Sequence, residues 1–293
     1  MTFDKVDSAS SLSDRGLVGQ FRLLQRNTRI PGLLILGGAE GGLESTSEVA
    51  EQFATEGFAT LALAYFGRSP LPPMLEEIPL EYFHNAIDWL RGAPGVDSTC
   101  VGVVGHSKGS EAALLIGATA PHVRAVVGYA PSHVAWQALN WKSPPQSSWS
   151  YRGAPVPFVR YVRATERMER EGLRGFYSAS LEADPDAVRA AEINVERTRG
   201  AILLVSGGED GIWPSSEMAR SIMQRLRTKL FTYPYQHLEY PHAGHAIMGL
   251  GNTPAKVNGP WGEIRFGGTE SANVAARAAA WGNTLHFLRE QLK

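Results

Sequence analysis

The run Gly105-His106-Ser107-Lys108-Gly109 is where residue type and spacing in this sequence come nearest to chemistry. It has the pattern G-x-S-x-G, preceded by the apolar stretch Cys100–Val104 and followed by the helical stretch Glu111–Ala118. Between a strand and a helix, such a turn forces the serine into a strained conformation and projects its hydroxyl above the sheet edge. Side chains at 105 and 109 would collide with neighbouring backbone, which is why glycine belongs there. The helix that follows offers free N–H groups and its positive dipole end to a developing oxyanion.

A serine hydroxyl is a poor nucleophile until a base takes its proton, and the base needs a carboxylate to fix its tautomer. Asp210, in Ser206-Gly207-Gly208-Glu209-Asp210-Gly211, is the candidate carboxylate, with Glu209 as its neighbouring rival. His245, in Pro241-His242-Ala243-Gly244-His245, is the candidate base, with His242 as rival. Serine, acid and histidine thus follow one another in the order of a catalytic triad. The backbone N–H of Lys108 is one expected oxyanion donor. The glycine-rich loop Leu36-Gly37-Gly38-Ala39-Glu40-Gly41-Gly42 supplies the other, from Ala39 with Gly38 as alternate. That loop lacks the G-K-[ST] of a phosphate cradle.

The remaining histidines have weaker claims. His106 is expected to support the turn, and His84, His122, His133, His237 and His286 to be surface or core residues. His242 and His245 lack a third ligand for a metal, so neither metal nor cofactor is expected. Cys100, the only cysteine, permits no internal disulfide and is expected to pack as a small hydrophobe.

These residues require elements that deliver them to one edge. Apolar runs predict strands at 31–36, 58–64, 100–105, 125–130, 201–206 and 238–240. Helices are predicted at 45–56, 80–91, 108–118, 214–227 and 271–291. In the last helix Val274, Ala278, Trp281, Leu285, Leu288 and Leu292 are expected to share the buried face. Strands alternating with helices argue a mostly parallel central sheet with helices on both faces, in a single domain spanning 1–293. Residues 1–16 read as a polar leader. Residues 131–199 break the rhythm and read as a lid-like insertion, in which Trp136, Trp141 and the surrounding aromatics would shape a substrate pocket.

The chain resembles the C-terminal catalytic domain of the acyl-CoA thioesterase and bile acid-CoA:amino acid N-acyltransferase family. The resemblance rests on Gly38-Ala39-Glu40-Gly41-Gly42-Leu43, on 57–66, on Ile78-Pro79-Leu80-Glu81-Tyr82-Phe83, and on the elbow with its lysine after the nucleophile. It continues through Tyr151-Arg152-Gly153, Ile193-Asn194-Val195-Glu196, Asp210 with Trp213, Gly244-His245 and Gly259-Pro260-Trp261-Gly262, covering roughly residues 30–293. It implies an α/β-hydrolase fold, a Ser107–Asp210–His245 triad, an acyl thioester substrate on CoA or a carrier protein, and an acyl-enzyme. Trp213 joins Trp136 and Trp141 as an expected substrate contact. Two departures stand out. Family members carry a β-sandwich domain ahead of this part, where this sequence has residues 1–29. Transferase members tend to use a cysteine nucleophile, and the serine here favours hydrolysis.

The expected activity is therefore serine-dependent thioester hydrolysis. An acyltransferase or cyclase using the same triad, and a carboxylesterase or lactone hydrolase, are the alternatives, and a non-catalytic binding protein of this fold is the rival from another class. With 28 basic and 29 acidic residues and no basic cluster, the chain has no nucleic-acid footprint. Its 43% hydrophobic content excludes a disordered chain. No apolar run is long enough to span a membrane, and no signal core opens the sequence, so a cytoplasmic protein is expected.

Overall fold

A computed structural model of the chain describes residues 10–12, 16–24, 28–140, 142, 144–163, 165–253, 255–259 and 262–293. In chain order the elements are β1 (Ser10–Leu12), β2 (Val18–Arg22), β3 (Ile30–Leu36), α1 (Glu44–Thr55), β4 (Ala59–Ala64), β5 (Ile78–Pro79) and α2 (Leu80–Gly92). Next come β6 (Val96–His106), α3 (Lys108–Thr119), β7 (Val123–Tyr129), β8 (Trp149–Tyr151), β9 (Ala154–Pro155), α4 (Thr165–Glu171), α5 (Leu173–Ala183) and α6 (Pro185–Ala191). The chain ends with β10 (Ala201–Gly207), α7 (Ser215–Thr228), β11 (Tyr235–Tyr240), β12 (Lys256–Gly259), β13 (Gly262–Arg265) and α8 (Glu270–Gln291).

Eight strands form the main sheet in the order β1-β2-β4-β3-β6-β7-β10-β11. From β4 to β11 every pairing is parallel, and only β1 and β2 run against their neighbours. The central strands are apolar throughout because both of their faces are covered. Leu80, Phe83, Leu114, Ile116, Ile222 and Leu226 pack over one face, and Phe53, Ala276, Trp281 and Leu288 over the other. Parallel order places the carboxyl ends of β3, β6, β7, β10 and β11 at one edge, where a doubly wound sheet holds its ligands.

Three sequence expectations change. Residues 10–12, placed in the polar leader, pair with Gly19–Phe21 as an edge strand. The short β2 and the hairpin of β12 and β13 carry no long apolar run and were not expected. In α8, Val274 is 39% exposed and Ala278 also faces outward. The buried stripe runs instead through Asn273, Ala276, Ala280, Thr284 and Leu288, with Trp281, Leu285 and Phe287 beside it. The reason is polar. Asn273 Oδ1 accepts the Gly244 N–H at 2.7 Å, and Thr284 Oγ1 lies 2.6 Å from the Tyr129 hydroxyl. Two buried polar residues set this helix's rotation, so an apolar count alone misplaces its first two turns.

Between β7 and β10, the stretch 131–199 has its own core. Val134, Trp136, Val159, Tyr177 and Ala191 pack with Trp213, just ahead of α7, and with Met218 in its first turn.

Candidate active site

Ser107 sits at the end of β6 with φ 56° and ψ −120°, left-handed backbone that a non-glycine residue rarely adopts. Surrounding backbone enforces it. The Ser107 N–H donates to Tyr129 O at 2.9 Å, and Ser107 O accepts the Ser110 and Glu111 N–H groups. A Cβ at Gly105 would lie 2.0 Å from Gly109 O, and one at Gly109 would lie 2.2 Å from Gly37 O. Both glycines are therefore required by close approach of backbone. The serine is 7% exposed.

His245 is buried on the loop after β11. Its N–H donates to Phe266 O at 2.7 Å, while Nδ1 lies 2.9 and 3.0 Å from the Asp210 carboxylate oxygens. With Nδ1–H donating to Asp210, Nε2 keeps its lone pair and can accept a proton. Asp210 is itself held. Oδ1 accepts the Ile212 and Trp213 N–H groups, and Oδ2 accepts the Ser215 hydroxyl at 2.6 Å. The rivals pair with each other elsewhere: His242 Nδ1 lies 3.1 Å from Glu209 Oε1, with both side chains in solvent.

His106 joins the two halves. Its ring centroid is 4.9 Å from that of His245, and its Nε2–H donates to the His245 carbonyl at 3.0 Å. Burial, and then the neighbouring His245, push the His106 pKa down to about 4, so it is neutral near pH 7. The Ser107 hydroxyl makes no hydrogen bond to His245 among the described residues. Such contacts commonly tighten only when substrate is bound.

The glycine loop is sorted amide by amide. Tyr65, buried beneath it, donates its hydroxyl to Gly37 O at 2.6 Å and approaches Gly38 O at 3.3 Å. The Gly38 N–H donates to Glu40 Oε1 at 2.9 Å. Because a trans peptide points its carbonyl and N–H in opposite directions, holding Gly38 O turns the Ala39 N–H the other way. Ala39 N–H has no acceptor among the described residues, and Lys108 N–H, at the start of α3, has none within its helix.

The Lys108 side chain points away from this edge and is buried. Its Nζ donates to Glu111 Oε2 and to Ser148 Oγ, both at 2.9 Å. Glu111 Oε1 also accepts the Trp136 N–H and the Trp149 indole N–H. Burial lowers the lysine's pKa and raises the glutamate's, and each opposes the other's shift. Sequence reasoning missed this pair, although a single Glu ahead of Ala112-Ala113-Leu114-Leu115-Ile116 and three residues after a Lys was a readable sign. It also missed Ser215, which turns back to Asp210 from the start of a helix, and Asn273 and Tyr65, whose contacts lie far away in sequence.

Trp136 and Trp213, expected to contact substrate, are 0% and 1% exposed. Their indole N–H groups donate to Ser132 Oγ and Ala130 O, and their rings stack at 6.5 Å. They back the site without presenting an open face to it; Trp213 stands edge-on to His245 at 5.7 Å. Trp141, Pro260 and Trp261 lie outside the described residues. Two cavities, of about 620 and 290 Å³, are lined by other residues, the first around Asn252 and Val274 and the second around Tyr151 and Ile193. Among the described residues no three His, Cys, Asp or Glu side chains group as a metal site would.

A strained serine after β6, a His–Asp pair on neighbouring loops and a glycine loop at the same edge invite comparison with known proteins. The family described as BAAT / Acyl-CoA thioester hydrolase C terminal matches residues 78–293. The chain belongs to this family. It is 30% identical over 268 residues to rat acyl-coenzyme A thioesterase 1, covering 89% of this chain and 60% of that protein. It is also 30% identical, over 270 residues, to mouse acyl-coenzyme A amino acid N-acyltransferase 1, with the same two coverages. Mouse mitochondrial acyl-coenzyme A thioesterase 2 is matched at 30% over 55% of its length, so the chain spans little more than half of these relatives. Among solved structures, a dienelactone hydrolase-like promiscuous phosphotriesterase from metagenomic libraries superposes with TM-score 0.58 at 17% identity, covering 94% of this chain and 93% of that one. A dienelactone hydrolase from Anabaena variabilis superposes at 0.51 and 16% identity, covering 99% and 98%. These likenesses establish the α/β-hydrolase fold.

Proposed function

We propose that the protein hydrolyses an acyl thioester, acyl-CoA or a carrier-linked equivalent, through Ser107, His245 and Asp210. The observation that carries this reading is the buried His245–Asp210 pair, its Nε2 free, at the edge where Ser107 is held in strained backbone. Family membership and the names of the relatives support thioester chemistry.

Ser107 Oγ attacks the thioester carbonyl as His245 Nε2 takes its proton, and Asp210 stabilises the imidazolium. Ala39 and Lys108 N–H groups stabilise the oxyanion, and Gly38 ranks behind Ala39 because its N–H is taken by Glu40. The C–S bond breaks, the imidazolium protonates the departing thiolate, and an acyl-Ser107 ester remains. Water, deprotonated by His245, then releases the acid. The insertion 131–199 acts as the cover over the acyl group, with Trp136 and Trp213 stiffening the wall behind His245.

The test is thiol release from short, medium and long acyl-CoAs by wild type and Ser107→Ala. Turnover that falls at least 1,000-fold in the variant is expected, on the order seen when a triad nucleophile is removed. Equal turnover in both overturns the reading. An acyltransferase is the second reading, favoured by the N-acyltransferase relative; an amide product formed in place of free acid when an amine is supplied would select it. Among the described residues no helix is long and apolar enough to cross a membrane. The cytoplasmic expectation is tested by fractionation, since one relative is named mitochondrial.

A further inference from the structure

Glu40 is the one acidic residue in the loop that carries the candidate oxyanion donors, and neither its fold position nor the triad accounts for it. It lies in a turn at the protein surface, yet its carboxylate is tethered. Oε1 accepts two hydrogen bonds, from the Gly38 N–H at 2.9 Å and from the Ser45 hydroxyl at 3.0 Å. Oε2 accepts none among the described residues, and no Lys or Arg pairs with the group.

The free oxygen and Ser107 border the same gap at Gly38. A Cβ built on Gly38 would lie 2.8 Å from Glu40 Oε2 and 3.1 Å from Ser107 Cβ. Glycine at 38 therefore leaves open the gap that the carboxylate and the serine both border. His106 beside it is neutral and supplies no countercharge.

A bare carboxylate oxygen beside a carbon where negative charge develops opposes the reaction unless an O–H or N–H group lies between the two. An acyl chain brings no such group, and the thiol has left once the serine is acylated. The species that must then approach Ser107 with a spare X–H bond is the nucleophile that resolves the acyl-enzyme. The geometry points to Glu40 as the residue that positions this nucleophile, holding one of its O–H or N–H bonds on Oε2 while His245 Nε2 removes the other proton. This rests on the serine acyl-enzyme proposed above.

With water, one O–H donates to Glu40 Oε2 and the other proton passes to His245 Nε2 as the oxygen bonds to the acyl carbon. The tetrahedral adduct collapses, the bond from the acyl carbon to Ser107 Oγ breaks, and the imidazolium returns its proton to Oγ. The acid leaves with the remaining proton of the water. A primary amine fits the same position, one N–H held by Glu40 and one proton passing to His245, and leaves as an amide. The shared chemistry is a small nucleophile with two protons on its attacking atom.

Glu40→Gln separates this role from a merely structural one, because an amide oxygen still accepts from Gly38 N–H and Ser45 while the mouth receives NH₂, a donor, in place of Oε2. Wild type and variant are acylated with a p-nitrophenyl ester in stopped flow, freed of excess reagent, and followed by intact mass as the adduct decays. The expected result is an acylation rate within about threefold of wild type and an adduct lifetime at least tenfold longer, with the adduct on the peptide bearing Ser107. Ser45→Ala, which loosens the tether and keeps the charge, should lengthen the lifetime less. Glycine added during decay tells the two nucleophiles apart: unchanged lifetime with acid product means water, and a shorter wild-type lifetime with acylglycine product means an amine. Equal lifetimes in wild type and Glu40→Gln, or acylation and decay slowed in the same proportion, overturn the role of Glu40 alone. Absence of any Ser107 adduct in both wild type and Glu40→Gln, while the ester is still turned over, overturns the acyl-enzyme itself and the Glu40 role with it.

Discussion

At Asp210 the buried carboxylate has four polar partners among the described residues: two backbone N–H groups, the Ser215 hydroxyl and His245 Nδ1. In the proposed reaction Ser215 touches no reacting atom and acts by holding Asp210 in line with the imidazole. Ser215→Ala leaves the two amide bonds and should lower kcat by about tenfold, roughly 1.4 kcal/mol of barrier, with KM unchanged. Steady-state kinetics on a thioester or activated ester checks this, and a rise in KM without loss of kcat would contradict it. Ser107, Asp210 and His245 stand out as candidates in the sequence because each lies in a short, glycine-containing loop after a predicted strand. The sequence separated Asp210 from Glu209 and His245 from His242 only by preference. The structure separates them by environment, one pair buried and the other in solvent. Ser215 was not legible, since nothing in Trp213-Pro214-Ser215-Ser216 distinguishes a hydroxyl aimed back at Asp210 from an ordinary residue at a helix start.

Helix α3 joins the elbow to the insertion. Its first residue follows Ser107, the proposed nucleophile, and Lys108 and Glu111 bury opposite charges that hold Ser148, Trp136 and Trp149 from the stretch 131–199. Removing one member of such a pair leaves the other charge uncompensated, at a cost of about 3–5 kcal/mol. Glu111→Leu should be the worse loss, because it also orphans the Trp136 and Trp149 N–H groups. In Lys108→Met, Glu111 retains both donors and can take up a proton, as its upward pKa shift indicates. Urea unfolding should therefore rank wild type above Lys108→Met above Glu111→Leu; the reverse order for the two variants would show the lysine to be the anchor. Elements of this kind also mark where sequence reading succeeds. Strands β3, β4, β6, β7 and β10 and helices α1, α2, α3 and α7 match their predicted spans to within a few residues because each is a long apolar or periodic run flanked by breakers, whereas the short β5, β8 and β9 carry no such run. Strand β2 is short and half polar, and α8 turns on Asn273 and Thr284, so periodicity gave too little or pointed the wrong way.

Across the whole molecule, the two ends of the insertion are fastened to each other close to where it leaves β7. His133 O accepts the Ile193 N–H at 2.9 Å, Ala135 N–H donates to Ala191 O at 3.0 Å, and Val134 bridges to Glu192. The His133 ring lies in this seam, where its Nδ1 is buried with no partner among the described residues, and burial pushes its pKa down to about 4. His106 is pushed down to about 4 as well. Between about pH 6.5 and 4 the unfolded chain therefore binds protons at both positions that the folded chain does not, so stability is fully present above about pH 6.5 and falls as the pH is lowered toward 4. His133→Gln removes one of the two contributions without touching His106 or the triad. Its unfolding free energy, measured by urea at pH 7 and pH 5, should drop less between those two values than that of wild type, whatever the variant's absolute stability. An equal drop in both proteins would mean that His133 reaches solvent and takes up its proton in the folded seam. In that case the insertion would already be open at its root, and access to Ser107 would not require this seam to part.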